Sequence, residues 1–376
     1  MMTDRGTLML AVGVLLSGCG DAAQPTPPSE SPALAPGNNV GTGITITTLG
    51  LGRAEDIDDR GRIVGSRGTV SAPMRAFLWT PTTPRATTGS AIDLGDLGGG
   101  SAQARGINAG LQVVGSSTET SGRQDPFLWE MGTLHDLSVP AGMDYGEAMD
   151  INDAATRRVA GGVASPVDRA FVWTVSGSGA AFSASLEVLP GLSTSGSFAF
   201  ALNDAAVVVG YSNVLTGFPN QPAFWENGGS GWAVHALPLL AGAIGGVARD
   251  INSAGRIVGL NVLSTSGCGT RAVVWSSGGA SATQLPMLNG GACAEAWAVN
   301  DAGQISGYST EQRGRRRAVL WQPLAAGGYS VTDLGSQGGT TPFAFGMNEP
   351  SASGGIEVVG FAQSPSRDRA TLWTVP

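Results

Sequence analysis

One short word recurs seven times along this chain, and it limits the possible folds more than any other feature. It reads RAFLW at 75–79, PFLW at 126–129, RAFVW at 169–173, PAFW at 222–225, RAVVW at 271–275, RAVLW at 317–321 and RATLW at 369–373. From Trp79 to Trp373 the six intervals average 49 residues. A repeat unit cannot bury its apolar face alone, so its neighbours must stack on it. A period near 50 suits a four-stranded propeller blade, because helical repeats are mostly shorter, at roughly 33–47 residues.

A second word leads each repeat: AEDID (54–58), ARGIN (104–108), AMDIN (148–152), AFALN (199–203), ARDIN (248–252), AWAVN (296–300) and AFGMN (344–348). Each begins with Ala and ends in Asn, or Asp in the first, with an apolar residue just before that end. Alternating small and large residues fit a strand packed on both faces. A helix is excluded, since turn residues arrive within five positions. The turn follows, as in NSAGRIVG and NDAGQISG, where Asn or Asp bonds its own backbone and Gly255 or Gly303 accepts a positive φ. A second strand ends on a recurring glycine (Gly65, Gly115, Gly161, Gly210, Gly259, Gly307, Gly360). Glycine inside a strand marks close backbone approach, expected here between crowded blades. After the tryptophan strand comes a fourth, closing on Leu-Gly or Leu-Pro as in IDLG and LEVLP. Four short antiparallel strands per repeat make a blade, and seven repeats make a seven-bladed β-propeller.

The ends of the array favour a closed ring. Repeat seven stops after Trp373 without a fourth strand, whereas Ile44–Leu49 reads as a fourth strand lacking the first three. Pairing the two completes the last blade and leaves no open inner edge. The fold expected is therefore an all-β propeller over 44–376, closed by strand 44–49 on the C-terminal blade.

Before it, residues 1–18 read as an export signal. Arg5 precedes an apolar stretch from Leu8 to Leu16 that is too short to span a bilayer. Leu16-Ser17-Gly18-Cys19 resembles the bacterial lipobox, which implies a diacylglyceryl thioether on Cys19. Gly20 rather than Asp at the next position leans, by the same resemblance, towards the outer membrane of a Gram-negative cell. Residues 19–43 are proline-rich and form no core; they read as an extended tether of ~3.1 Å per residue. The expected partners are the membrane, through the anchor, and a glycan or envelope protein, with the body a monomer. A net charge of −8 excludes the basic footprint that nonspecific nucleic-acid binding needs.

At the words quoted above, the chain resembles the bacterial probable extracellular repeat, HAF family. The stretch DLGDLGGGSAQARGINAGLQVVGSS (93–117) carries the lead and core of that pattern, and the resemblance runs from Ile44 to Pro376. The family's histidine before the Trp strand is here Arg75, Arg169, Arg271, Arg317 and Arg369, with Asp125 and Gln221 in the other two repeats. The resemblance implies the repeat fold and export, and brings no activity with it.

Two cysteines remain in the body. Cys268 lies in the second-to-third loop of repeat five and Cys293 in the passage to repeat six. A four-strand meander puts both connections on one rim, so a disulfide is expected.

No catalytic, cofactor-binding or metal-binding residue is assigned from the sequence. His135 and His235 fall at near-equivalent fourth-strand positions and read as structural. Asp56, Asp150 and Asp250 recur at one first-strand position. They can line the channel and hold a cation through oxygen ligands, but the plainer role is to satisfy backbone donors or neighbouring arginines. Arg313, Arg315, Arg316 and Arg317 form a dense group on one rim, a candidate anion site. These readings favour a binding or scaffolding module. The alternative is an extracellular glycan lyase or hydrolase on one rim, which a cluster of Tyr145, Phe218 and Trp232 would support.

Overall fold

Every repeat forms one four-stranded antiparallel sheet in a computed structural model that describes residues 43–68, 73–165, 167–214, 220–336, 341–363 and 368–376. The signal segment, Cys19 and nearly all of the tether lie outside the described residues. Blade 1 runs outward in chain order through Arg53–Ile57, Ile63–Arg67, Arg75–Pro81 and Gly89–Asp93. Blades 2 to 6 repeat that order. The first strands touch one another around the whole ring, the seventh meeting the first, so they surround the axis.

Blade 7 closes the ring as the truncated ends require. Its strands Phe343–Met347, Ile356–Gln363 and Asp368–Val375 are completed by Thr45–Leu51 from the other end of the chain. Ile46 lies opposite Trp373 and Thr48 opposite Thr371 in that antiparallel pairing. The strand that would have left an open edge is thus paired.

Apolar cores lie between blades. Leu128 of blade 2 packs with Phe171 and Trp173 of blade 3, and Val258 of blade 5 with Val319 and Trp321 of blade 6. Each leading alanine, from Ala54 to Ala344, is fully buried, because a larger side chain would hold the next sheet off. The tryptophan also ties two sequence words together. The indole N–H of Trp225 donates to the Pro190 carbonyl at 2.7 Å, Trp275 to Pro238 at 2.7 Å and Trp321 to Pro286 at 2.7 Å. The Leu-Pro end of one blade is therefore the acceptor for the next blade's tryptophan, and truncating such a side chain costs ~3–5 kcal/mol.

The recurring glycines have a different cause from the one expected. Every first strand carries one extra residue, with the register shifting between Ala54 and Asp56 and at the six equivalent places. Opposite this bulge, a Cβ on Gly65 would lie 2.0 Å from the Arg53 carbonyl oxygen, and one on Gly259 2.1 Å from that of Val247. The crowding is within each blade, at the bulge, and not between blades. No helix among the described residues is long and apolar enough to cross a membrane.

Candidate functional site

The recurring asparagine sits where each first strand turns into the second, and it bonds in two directions. Its side-chain oxygen accepts a backbone N–H of its own turn: Val207 N to Asn203 at 3.0 Å, Arg256 N to Asn252 at 2.8 Å and Gln304 N to Asn300 at 2.9 Å. Its amide then donates to the matching carbonyl of the next blade, Asn203 to Asn252 at 3.1 Å, Asn252 to Asn300 at 3.0 Å and Asn300 to Asn348 at 3.3 Å. Aspartate has no such donor. Where Asp58 replaces the asparagine, the Arg62 guanidinium reaches Ala109 O at 2.9 Å instead.

Two positions earlier, Asp56, Asp150 and Asp250 staple blades in pairs. One carboxylate oxygen of each accepts the N–H of the following residue, and the other accepts from the next blade. Those cross-blade bonds run from Ile107 to Asp56 at 2.9 Å, Leu202 to Asp150 at 2.9 Å and Val299 to Asp250 at 2.7 Å. Blades 2, 4 and 6 hold Gly106, Ala201 and Ala298 at this position, so long and short residues alternate. An odd ring cannot alternate throughout. Blade 7 therefore also carries a small residue, Gly346, whose Cβ would meet Asp56 Cα at 3.0 Å.

Burial raises the proton affinity of all three carboxyls: Asp56 well above the ordinary range, Asp150 to about 6 and Asp250 to about 7. Repulsion from Asp150 adds to the shifts of Asp56 and Asp250, while the backbone N–H bonds oppose them.

At the turn end the axis opens into a shallow concavity of about 210 Å³, rimmed by Asp153, Asp204, Asp301 and Glu349. These acids also accept backbone N–H groups of neighbouring blades, Asp153 N to Asp204 at 2.8 Å and Asp301 N to Glu349 at 2.7 Å. Burial, then repulsion among the acids, raises Asp153 and Glu349.

The other end of the first strands is unlike this one. The bulge residue is Glu55, Arg105, Met149, Phe200, Arg249, Trp297 and Phe345 in turn round the ring. In blades 1 and 2 the bulge residues form an ion pair, with Arg105 3.5 Å from Glu55; Arg105 also lies 3.8 Å from Glu147, two residues before the blade 3 bulge at Met149. In blades 4 to 7 the bulge residues form an aromatic run. The Arg249 guanidinium lies 4.7 Å from the Phe200 ring centre and 4.3 Å from that of Trp297, and Trp297 meets Phe345 edge-on at 4.8 Å. Arg249 is 6% exposed and its Nε has no hydrogen-bond partner. Burial lowers its proton affinity, while Glu295 and the two tyrosines Tyr211 and Tyr308 oppose that. Buried Glu295 accepts the Tyr308 hydroxyl at 2.9 Å, and the Tyr211 hydroxyl donates to Asp168. Ring faces beside fixed guanidinium and carboxyl groups suit a ligand with flat faces and polar edges.

The expected disulfide is present: Cys268 and Cys293 are bonded, with Cα atoms 5.6 Å apart, and join blades 5 and 6 on the rim where the first strands begin. The arginine group is less of a unit than its sequence suggests. Arg315 pairs with Glu311, Arg316 lies 5.1 Å from the Tyr308 and Phe343 ring centres, and Arg317 pairs with Asp333 at 2.8 Å. Arg313 is exposed at the turn.

The arginines before the third strands do not reach the channel aspartates. Arg75 pairs with Asp96 at 2.9 Å, and Arg317 with Asp333, both outward of the channel. His135 stacks on Phe182 at 4.0 Å and His235 on Phe224 at 4.7 Å, each against its own sheet or the next. Tyr145 and Trp232 do not share a rim. Tyr145 begins a first strand, whereas Trp232 begins a fourth strand at the opposite face and donates to Glu187 at 3.2 Å; Phe218 lies outside the described residues.

Sequence reading missed the bulge belt, although the signal was there: within the five-residue leading word it is the position at which the repeats disagree most.

No protein-family model matches this chain, and no curated protein does. Solved structures share its architecture. It is similar to an acylaminoacyl peptidase of Pyrococcus horikoshii at 9% identity and TM-score 0.50, over 86% of this chain and 52% of that one. It also aligns with TolB of Acinetobacter baumannii (13% identity, TM-score 0.45, 73% of this chain and 63% of that one). A gluconolactonase of Xanthomonas campestris aligns at 11% identity and TM-score 0.43, over 94% of this chain and 99% of that one. The chain spans about half the length of the peptidase, and at such identity the likeness shows a propeller fold alone.

Proposed function

We propose that this chain is an exported binding module, tethered to the cell envelope through a lipid on Cys19, that takes a glycan at the first-strand start of its channel. One observation carries the reading: the run of Phe200, Arg249, Trp297 and Phe345 breaks the repeat at the place where all blades meet. Ring faces and a buried guanidinium are the groups that hold a sugar's apolar face and an acidic substituent. The disulfide supports an oxidising compartment, and the likeness to extracellular HAF repeats supports export. The channel aspartates act as staples, since both oxygens of each already accept backbone N–H groups.

A glycan array with the purified body tests the reading. Binding that is lost in Arg249→Ala and Trp297→Ala is the expected result; an array without binding overturns it. The enzymatic alternative rests on Glu295, a carboxyl whose proton affinity burial raises although Arg249 beside it opposes the shift. Release of shortened glycan, abolished by Glu295→Gln, would favour that alternative.

A further inference from the structure

Blades 1 and 6 share an ion pair that blade 2 lacks. Asp93, Asp136 and Asp333 occupy the same fourth-strand register, opposite Phe77, Phe127 and Val319. Two residues before these partners stand Arg75, Asp125 and Arg317. Arg317 meets Asp333 at 2.8 Å, and Arg75 lies 4.0 Å from Asp93 and 2.9 Å from Asp96. In blade 2 a carboxylate faces a carboxylate where its neighbours place a cation.

Glu119 joins the two, and the nearest ligand oxygens of Glu119, Asp125 and Asp136 all lie within 4.8 Å of one another. Arg123 offers one guanidinium to the group, 2.6 Å from Asp125 Oδ2 and 3.4 Å from Glu119 Oε1. That leaves three negative charges against one positive. The Asp125 side chain is 0% exposed, and its Oδ1 is buried without a hydrogen-bond partner. A buried acceptor left unsatisfied is costly, and an unpaired buried charge more so.

We propose that Glu119, Asp125 and Asp136 form a calcium site on the rim of blade 2, with Asp125 Oδ1 as the inner ligand and Arg123 remaining on Oδ2. Oxygens around Ca²⁺ sit at ~2.3–2.6 Å from the ion, so ligands on opposite sides are about 5 Å apart. The observed spacing needs little movement. Glu119 lies part-exposed and Asp136 exposed, which gives the ion an entry path and room for the waters that complete six to eight ligands. The ion would do for blade 2 what the arginine does for blades 1 and 6.

The full chain, stripped with EDTA, is titrated with CaCl₂ by calorimetry and by thermal unfolding. A saturable heat and a Tm that climbs with Ca²⁺ concentration are expected, both weakened at least tenfold in Asp125→Asn and in Asp136→Asn. Asp125→Arg restores the pair seen in blade 6, so it should fold, unfold at or above the calcium-free Tm, and ignore calcium. Asp301→Asn, at the acidic channel mouth, should leave the titration unchanged. No calcium response in the unaltered chain overturns the proposal. So does a response that survives Asp125→Asn or follows Asp301→Asn.

Discussion

The two ends of each first strand obey opposite rules. At the turn end, asparagine recurs in six blades and aspartate in three because each has a bond to make with its neighbour: asparagine amide to carbonyl, aspartate to backbone N–H. At the start, the bulge residue has no backbone partner to serve, and it varies from blade to blade. A ring is held shut at one end by repetition, and that frees the other end to vary. Between blades 5 and 6 the start end gains a tie of another kind, the Cys268–Cys293 bond.

Cys268→Ala with Cys293→Ala opens a loop of separation 25, which should lower stability by about 3 kcal/mol in the chain-entropy picture, read from urea unfolding. A loss as small as surface noise would mean the start end needs no tie.

Asn252→Ala removes the acceptor for Arg256 N–H and the donor to Asn300 at once. About 2 kcal/mol is expected, with a lower Tm. An unchanged midpoint would sink the stitching role.

The channel aspartates give a pH signature. Asp150 and Asp250 titrate near 6 and 7 when folded against an ordinary value of 3.8, so the folded chain binds more protons than the unfolded one between about pH 4 and 7. Stability must therefore fall as pH rises through that window. Thermal unfolding should give a higher Tm at pH 5 than at pH 7.5, and Asp250→Asn should flatten the slope.

The smallest stability change belongs to Arg249→Ala, within about 1 kcal/mol. The substitution gives up two cation–π interactions, and it also removes a buried charge whose Nε is unpaired, so the two effects offset each other. Its effect should appear in ligand binding instead. A stability loss as large as that of Asn252→Ala would make the belt structural.

Much of the fold was legible in the order of residues alone. The spacing of seven tryptophans gave the blade count, and the unmatched pieces at Ile44–Leu49 and Trp373 gave the closing strand. Loop order alone joined Cys268 to Cys293. Periodicity reports local conformation, and a meander converts it directly into neighbours. The same reading failed where contacts cross between repeats. Arg75 and Arg317 of the third-strand word pair with Asp96 and Asp333, not with the channel acids, because the third strand lies two strands outward from the one that carries those acids. The glycines answer a bulge that no repeat word announces.

The sequence by itself determined how many sheets form, in what order their strands pair, and where the ring closes, since each depends on patterns of side-chain size and turn chemistry that recur along the chain. Only the tertiary structure decided which residues meet at the axis. Glu55 and Arg105 are about 50 positions apart, as are Arg249 and Trp297, and the stacking of neighbouring blades brings each pair together. Glu119, Asp125 and Asp136 are closer in sequence, but only the register of blade 2 sets them against one another where its neighbours hold an ion pair. A repeat fixes the frame through short-range rules. Whatever the frame holds depends on distances that strand register and the stacking of blades set.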